Sequence, residues 1–169
     1  MKIKNYYEFQ VSREELWYHF LTPEALRASI PGCKKIDLID ENTYKAELSL
    51  GIAAIKGNYT GTVQITDKMF PHQYKMVVEG NGASGFVSGE GLIEFEAKNP
   101  TATVLRYDFD IMVGGKIAAI GQRMIGGISK IMAEQFFKEM DKQLKLKRAE
   151  YQPGFFEKLK RIMGKTDET

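Results

Sequence analysis

Leu105, Tyr107, Phe109 and Ile111 alternate with Arg106, Asp108 and Asp110. This is the clearest of several two-residue alternations between residues 33 and 112, and they limit the possible folds more than any other feature of the chain. Successive side chains on a strand point to opposite faces, so alternation means a sheet with one buried and one wetted face. The pattern predicts strands near 33–39, 43–50, 55–66, 73–80, 86–97 and 103–112. A further strand opens the chain, where Ile3, Asn5, Tyr7, Phe9 and Val11 share one face. Breaks at Asp40-Glu41-Asn42, Phe70-Pro71-His72 and Asn99-Pro100-Thr101 suit the loops of an antiparallel meander.

A single sheet of this kind needs a cover for its apolar face. Between the first strand and the second lie Ser12-Arg13-Glu14-Glu15, a capping-box pattern, and Thr22-Pro23, a second helix start with proline at the first helical position. Pro31-Gly32 ends that helix. The main cover is a long helix predicted over residues 115–150. Ile117, Ile120, Met124, Ile128, Met132, Phe136, Met140 and Leu144 recur there at steps of three or four. The reading is an α+β domain over residues 1–150, followed by a separate tail at 151–169. A curved antiparallel sheet wraps around one long C-terminal helix, with two short helices after the first strand. The chain shows no internal repeats and no low-complexity segment.

Composition excludes several functions. A formal net charge of +2 does not mark a nucleic-acid binder. The single cysteine, Cys33, excludes an intrachain disulfide and suits a reducing, cytoplasmic setting. No leader segment is expected at the N-terminus, and no apolar run reaches the roughly 20 residues that span a bilayer, so any membrane contact is expected to be peripheral. His19 and His72 lack ligand partners at metal spacing, and no nucleophile–base arrangement stands out, so neither a catalytic nor a metal site is expected, and no cofactor. Gly80-Asn-Gly82-Ala-Ser-Gly85 matches GxGxxG, but a dinucleotide site needs a helix next, and FVSGEGLIEFEA reads as strand. A glycine-rich turn between strands is the better reading, with Gly89 and Gly91 as bulge or bend positions.

Gly114, Gly115, Gly121, Gly126 and Gly127 crowd the start of the long helix, where each helical glycine costs about 1 kcal/mol relative to alanine. Two readings stand side by side. The glycines allow close packing on the sheet, or they form a mobile end that opens an apolar cavity. Met124, Met132 and Met140 suit an adaptable lining, because methionine fills irregular space.

The segments IPGC (30–33), KGNYTGTVQI (56–65), GNGASG (80–85), VGGKIAAIGQRMI (113–125) and AEQFF (133–137), in this element order, resemble the family of the carbon monoxide dehydrogenase G subunit. That family belongs to the START-like, helix-grip superfamily. The resemblance implies a hydrophobic cavity between helix and sheet. It places Tyr59, Tyr107, Phe109, Ile120, Gly121, Met124 and Ile128 along the cavity or its gate, with Trp17 and Phe20 closing it from the short helices. Isoprenoid quinones and lipids are the implied ligands. A molybdenum-type carbon monoxide dehydrogenase, or a related molybdenum hydroxylase-type enzyme, is the implied protein partner.

Charge is uneven along the chain. Residues 1–137 hold fifteen Lys/Arg against sixteen Asp/Glu, whereas residues 138–165 hold nine against four. Beyond Pro153-Gly154, the residues Phe155, Phe156, Leu159, Ile162 and Met163 fall on one helical face, flanked by Lys158, Lys160 and Arg161. This is a basic amphipathic helix suited to an anionic membrane surface. So short a helix needs a surface to order on. The expected function is therefore a non-enzymatic, cytoplasmic carrier of an apolar ligand, peripheral on the inner membrane face. The alternatives are a membrane-recruitment adaptor with a filled core and, on the same fold, an aromatase/cyclase-type enzyme with a buried polar pair.

Overall fold

The computed structural model describes residues 1–151 and Arg161, with side-chain environments through residue 147 and at Arg161. Strand β1 (Lys2–Phe9) is followed by α1 (Arg13–His19) and α2 (Pro23–Ser29). Then come β2 (Cys33–Asp40), β3 (Thr43–Leu50), β4 (Gly57–Met69), β5 (Gln73–Gly82), β6 (Gly85–Asn99), β7 (Ala102–Gly114) and α3 (Gln122–Tyr151). All neighbours pair antiparallel in one seven-stranded sheet, in the order β1-β7-β6-β5-β4-β3-β2. Only β1 leaves the meander. The two short helices carry the chain across the sheet, so β1 lies along β7 and β2 forms the far edge.

Local chemistry explains the helix starts. Ser12 Oγ accepts the Glu15 N–H at 3.2 Å, satisfying one donor that the first turn of α1 would leave free. Pro23 opens α2 as expected.

The long helix begins later than its apolar spacing predicts. Residues Gly115–Ile120 form a 3₁₀ turn, and α3 starts only at Gln122. Gly121 stands between them at φ +90°, a left-handed conformation that suits glycine. A 3₁₀ turn has three residues per turn, so Ile117 and Ile120 fit it as well as they fit an α-helix. A second 3₁₀ turn, Ala53–Ile55, occupies what reads as the start of a strand.

The GxGxxG stretch is a hairpin. Gly82 pairs with Gly85 across a two-residue turn, and β6 follows directly. Gly89 and Gly91 are not bulges. The ladder runs in register through both, as Val78↔Gly89↔Ile111 and Met76↔Gly91↔Phe109. At Gly91 a side chain would collide with the Phe109 ring, so glycine there makes room for an aromatic on the next strand.

The packed core fills one end of the sheet. Phe9, Leu16, Leu105, Met140 and Leu144 are almost fully buried. Around them Phe137 stacks on Tyr7 at 5.3 Å and meets Phe9 edge-on at 6.1 Å, while Phe20 meets Phe95 and Phe136 edge-on. Trp17 lies between Tyr74 and Phe95. The second half of α3 packs on this cluster, which holds the helix against the sheet.

Candidate functional site: an apolar hollow under α3

At the other end, helix and sheet do not fill the space between them. Register explains why. One row across the inner face reads Ala46, Gly61, Gly80, Val87 and Val113. Two residues at its centre have no side chain, and the rest are small. A parallel row at the packed end reads Tyr74, Ile93 and Tyr107. The small row leaves a hollow of about 340 Å³. Its floor is Ala46, Gly61, Val63, Val78, Gly80, Val87, Ile111 and Val113. Its roof is Ile125, Ile128, Ser129 and Met132 of α3, and its end wall is Ile55, Ile117 and Ile120.

The lining carries few polar groups. Thr60, Thr62 and Glu79 touch the hollow from register positions on the outer face. The Tyr59 hydroxyl donates to the Ile55 carbonyl at 2.7 Å, so it ties β4 to the Ala53–Ile55 turn. Ser129 adds one hydroxyl from the roof. Such a surface can exclude water and accept apolar groups.

A larger and more open cleft, about 720 Å³, lies beside the hollow between Met1, β6, β7 and the start of α3, where Glu90, Asp110 and Gln122 give it a polar wall. Ile111, Val113 and Ile125 line both spaces and separate them.

Residues 8–145 match the family model for the carbon monoxide dehydrogenase G subunit (CoxG). The chain belongs to that family. A conserved protein from Geobacillus kaustophilus, known from its crystal structure, is 41% identical. It superposes with a TM-score of 0.83 over 86% of this chain and 95% of its own. A START superfamily protein from Mycobacterium smegmatis superposes with a TM-score of 0.71 at 13% identity, covering 86% of this chain and 97% of its own. That likeness shows the fold, which is the START-like helix-grip fold. No protein of curated function matches the chain.

Within this CoxG-family chain, three of the residues expected at the cavity line it: Tyr59, Ile120 and Ile128. Six others lie elsewhere. Trp17, Phe20 and Tyr107 belong to the packed aromatic end, where their rings meet Phe95, Phe136 and Phe137. Phe109 packs against the core beside Tyr107. Gly121 and Met124 face outward. The space therefore comes from Gly61 and Gly80 in the floor rather than from glycines in the helix. A Cβ on Gly121 or Gly127 would meet nothing within 4 Å.

Of the tail residues expected at a membrane, Phe155, Phe156, Lys158, Leu159, Lys160, Ile162 and Met163 lie outside the described residues. Arg161 is helical and exposed. Among the described residues, no helix is long and apolar enough to cross a membrane, and no cluster of three His, Cys, Asp or Glu is placed to hold a metal.

The groups whose titration is shifted lie toward the packed end rather than in the hollow. His19 is 5% exposed, and among the described residues neither ring nitrogen has a hydrogen-bond partner. Burial, reinforced by the Lys147 charge, pushes its imidazole below the usual histidine range. Nearby, Gln143 donates to Ser29 Oγ at 2.8 Å. Burial raises Tyr74 and Tyr107, and the Glu134 charge adds to the effect at Tyr107.

Proposed function

We propose that this chain is a non-enzymatic carrier that holds an apolar molecule, an isoprenoid quinone or a lipid acyl chain, in the hollow under α3. One observation carries the reading: about 340 Å³ of space walled almost wholly by aliphatic side chains. Empty space in a core is costly. Apolar side chains that face unfilled space lose the dispersion contacts that a filled core would give them. A fold shaped for stability alone would place larger side chains at Gly61 and Gly80. The volume lies within the range of ligand pockets, about 300–1,000 Å³.

The tail supplies location in this reading. Residues 154–165 act as a reversible foot on the inner face of the membrane, since an amphipathic helix with basic flanks gains from both burial and anionic lipid. Family membership supports a redox enzyme of the carbon monoxide dehydrogenase class as the recipient of the cargo.

Native mass spectrometry of the purified protein, before and after organic extraction, tests the carrier. The expected result is a bound apolar species of discrete mass that extraction removes and added quinone or lipid restores. A protein that neither retains nor takes up any such molecule overturns the reading.

A further inference from the structure

The packed end of the molecule carries an uncovered apolar patch. Tyr18 of α1 is 62% exposed; Met69 and Phe70, where β4 turns into β5, are 56% and 50% exposed. The Phe70 ring meets Tyr18 at 5.6 Å and stands edge-on to Trp17 at 5.5 Å, so the surface rings continue the buried cluster outward. Arg13 donates to His72 Nδ1 at 3.1 Å and fastens the β4–β5 loop to α1. The rim of the patch is acidic. Glu14 and Glu15 lie four and three residues before Tyr18 on one face of α1, and all three are exposed. Residues 12–18, 38–42 and 66–73 hold Glu14, Glu15, Asp40, Glu41 and Asp67 against Arg13 and Lys68. Asp67 pairs with Lys75 at 3.4 Å, and nearby Lys98 pairs with Glu8 at 3.1 Å. Among the described residues, Glu14, Glu15, Asp40 and Glu41 enter no ion pair.

The long helix delivers the chain to this end. Gln143 reaches Ser29 at the end of α2, and the Lys147 charge acts on His19, the neighbour of Tyr18. Tyr151 closes α3 about one turn later, and residues 152–169 follow. Among them Phe155, Phe156, Leu159, Ile162 and Met163 share a helical face flanked by Lys158, Lys160 and Arg161, with Glu157 the one nearby acid. Length and charge decide which surface of the same chain suits that face. Phe86, Met112 and Met124 are also exposed, but Met124 lies about 40 Å back along α3 from Tyr151. A helix of residues 154–165 spans only about 18 Å. The last turns of α3 carry exposed Lys142, Lys145 and Lys147, of the same sign as the tail, and of these only Lys145 pairs with an acid, Asp141 at 3.1 Å. The patch around Tyr18 and Phe70 is within reach and of opposite sign.

We infer that residues 154–165 dock on this patch of their own chain, with the apolar face of the tail on Phe70 and Tyr18 and its cations toward the acidic rim. A basic amphipathic segment gains a surface to order on, and the exposed rings gain a cover. Opposite charges set the orientation of the contact. The docked tail keeps its apolar face occupied, so any other binder of that face, a membrane included, must first displace it. The inference stands apart from the carrier reading, because it requires nothing in the hollow.

Paramagnetic relaxation in the full chain tests the docking. A nitroxide is attached at Glu157→Cys in a chain carrying Cys33→Ser, which removes the single native thiol. The amide signals of Tyr18 and Phe70 are expected to broaden, with those of Ile120 and Met124 at the far end unaffected. Raising the salt from about 0.05 M to about 0.5 M shortens the screening length about threefold and should weaken the broadening. Glu14→Gln with Glu15→Gln should lower the ratio of docked to free tail by about fivefold. Tyr18→Ser removes the exposed ring without touching charge and should weaken docking as well, read at Phe70. Melting curves and Trp17 emission establish that each variant is folded. Tryptic cleavage at Lys158, Lys160 and Arg161 in the unlabelled chain gives a second readout, expected to be slow in the wild type and faster in both variants. Tyr18 and Phe70 signals that stay sharp at low salt overturn the proposal, as does broadening or cleavage that neither variant changes. Broadening that arises only when a labelled chain is mixed with an unlabelled one overturns it too, and assigns the patch to the tail of a second copy.

Discussion

Gly80→Leu is expected to strengthen the fold and block the site at once. Gly80 lies opposite Gly61 and Val87 in the floor of the hollow. A Cβ built there has its nearest neighbour, the Thr60 carbonyl oxygen, at 3.9 Å, which is ordinary contact distance. Its backbone is not in the left-handed region. A leucine therefore enters the space without strain. Burying its side chain gains about 2 kcal/mol, and replacing glycine within a strand gains a further ~0.5–1 kcal/mol. For a chain of this size each kcal/mol raises the melting temperature by about 2–4 °C, so the shift is expected at roughly 5–10 °C. Circular dichroism melts and displacement of a fluorescent fatty acid measure the two effects together. Gly61→Leu serves as the comparison. Its Cβ would sit 3.2 Å from the Glu79 carbonyl oxygen, so it should block binding with a smaller gain in stability. A lower melting temperature for Gly80→Leu, or unchanged binding, would refute the assignment of the hollow to these floor positions.

His19 makes stability depend on pH. Its folded-state pKa lies below the ordinary 6.5, so the unfolded chain binds the proton more readily. Its contribution is complete above about pH 6.5 and is lost as pH falls from there through the folded-state value. Denaturant unfolding at several pH values should show that slope, and His19→Phe should flatten it. Phe137→Ala removes a ring that stacks on Tyr7 and meets Phe9, Phe20 and Tyr107, and should cost about 3–5 kcal/mol by chemical denaturation. Tyr59→Phe deletes the bond to the Ile55 carbonyl; it should cost about 1 kcal/mol and speed hydrogen exchange in the Ala53–Ile55 turn. Ser12→Ala removes the cap of α1 and should cost about 1 kcal/mol.

The sheet was legible because alternation has one physical meaning. The strand spanning Leu105 to Ile111 places those residues inward and Arg106 and Asp108 outward, as read. The capping pattern at Ser12 and the proline at 23 likewise carried their own explanations. The start of α3 was not legible. A step of three between Ile117 and Ile120 fits two helix types, and the decision lay in the backbone of Gly121. The cavity was harder still. Trp17, Phe20, Tyr107 and Phe109 look like a lining because they are large and apolar, but large rings fill space and small residues leave it. Gly61 and Gly80 lie nineteen residues apart in sequence and become neighbours only through the β4–β5 register.

Methyl NMR during titration with a short-chain isoprenoid quinone tests the central claim most directly. Shifts should concentrate on Leu48, Val63, Val78, Val87, Ile128 and Met132 around the hollow, with Leu16, Leu105 and Leu144 in the packed end unmoved. Saturable shifts confined to the outer face of the sheet, or none at all, would contradict an apolar site between α3 and its floor.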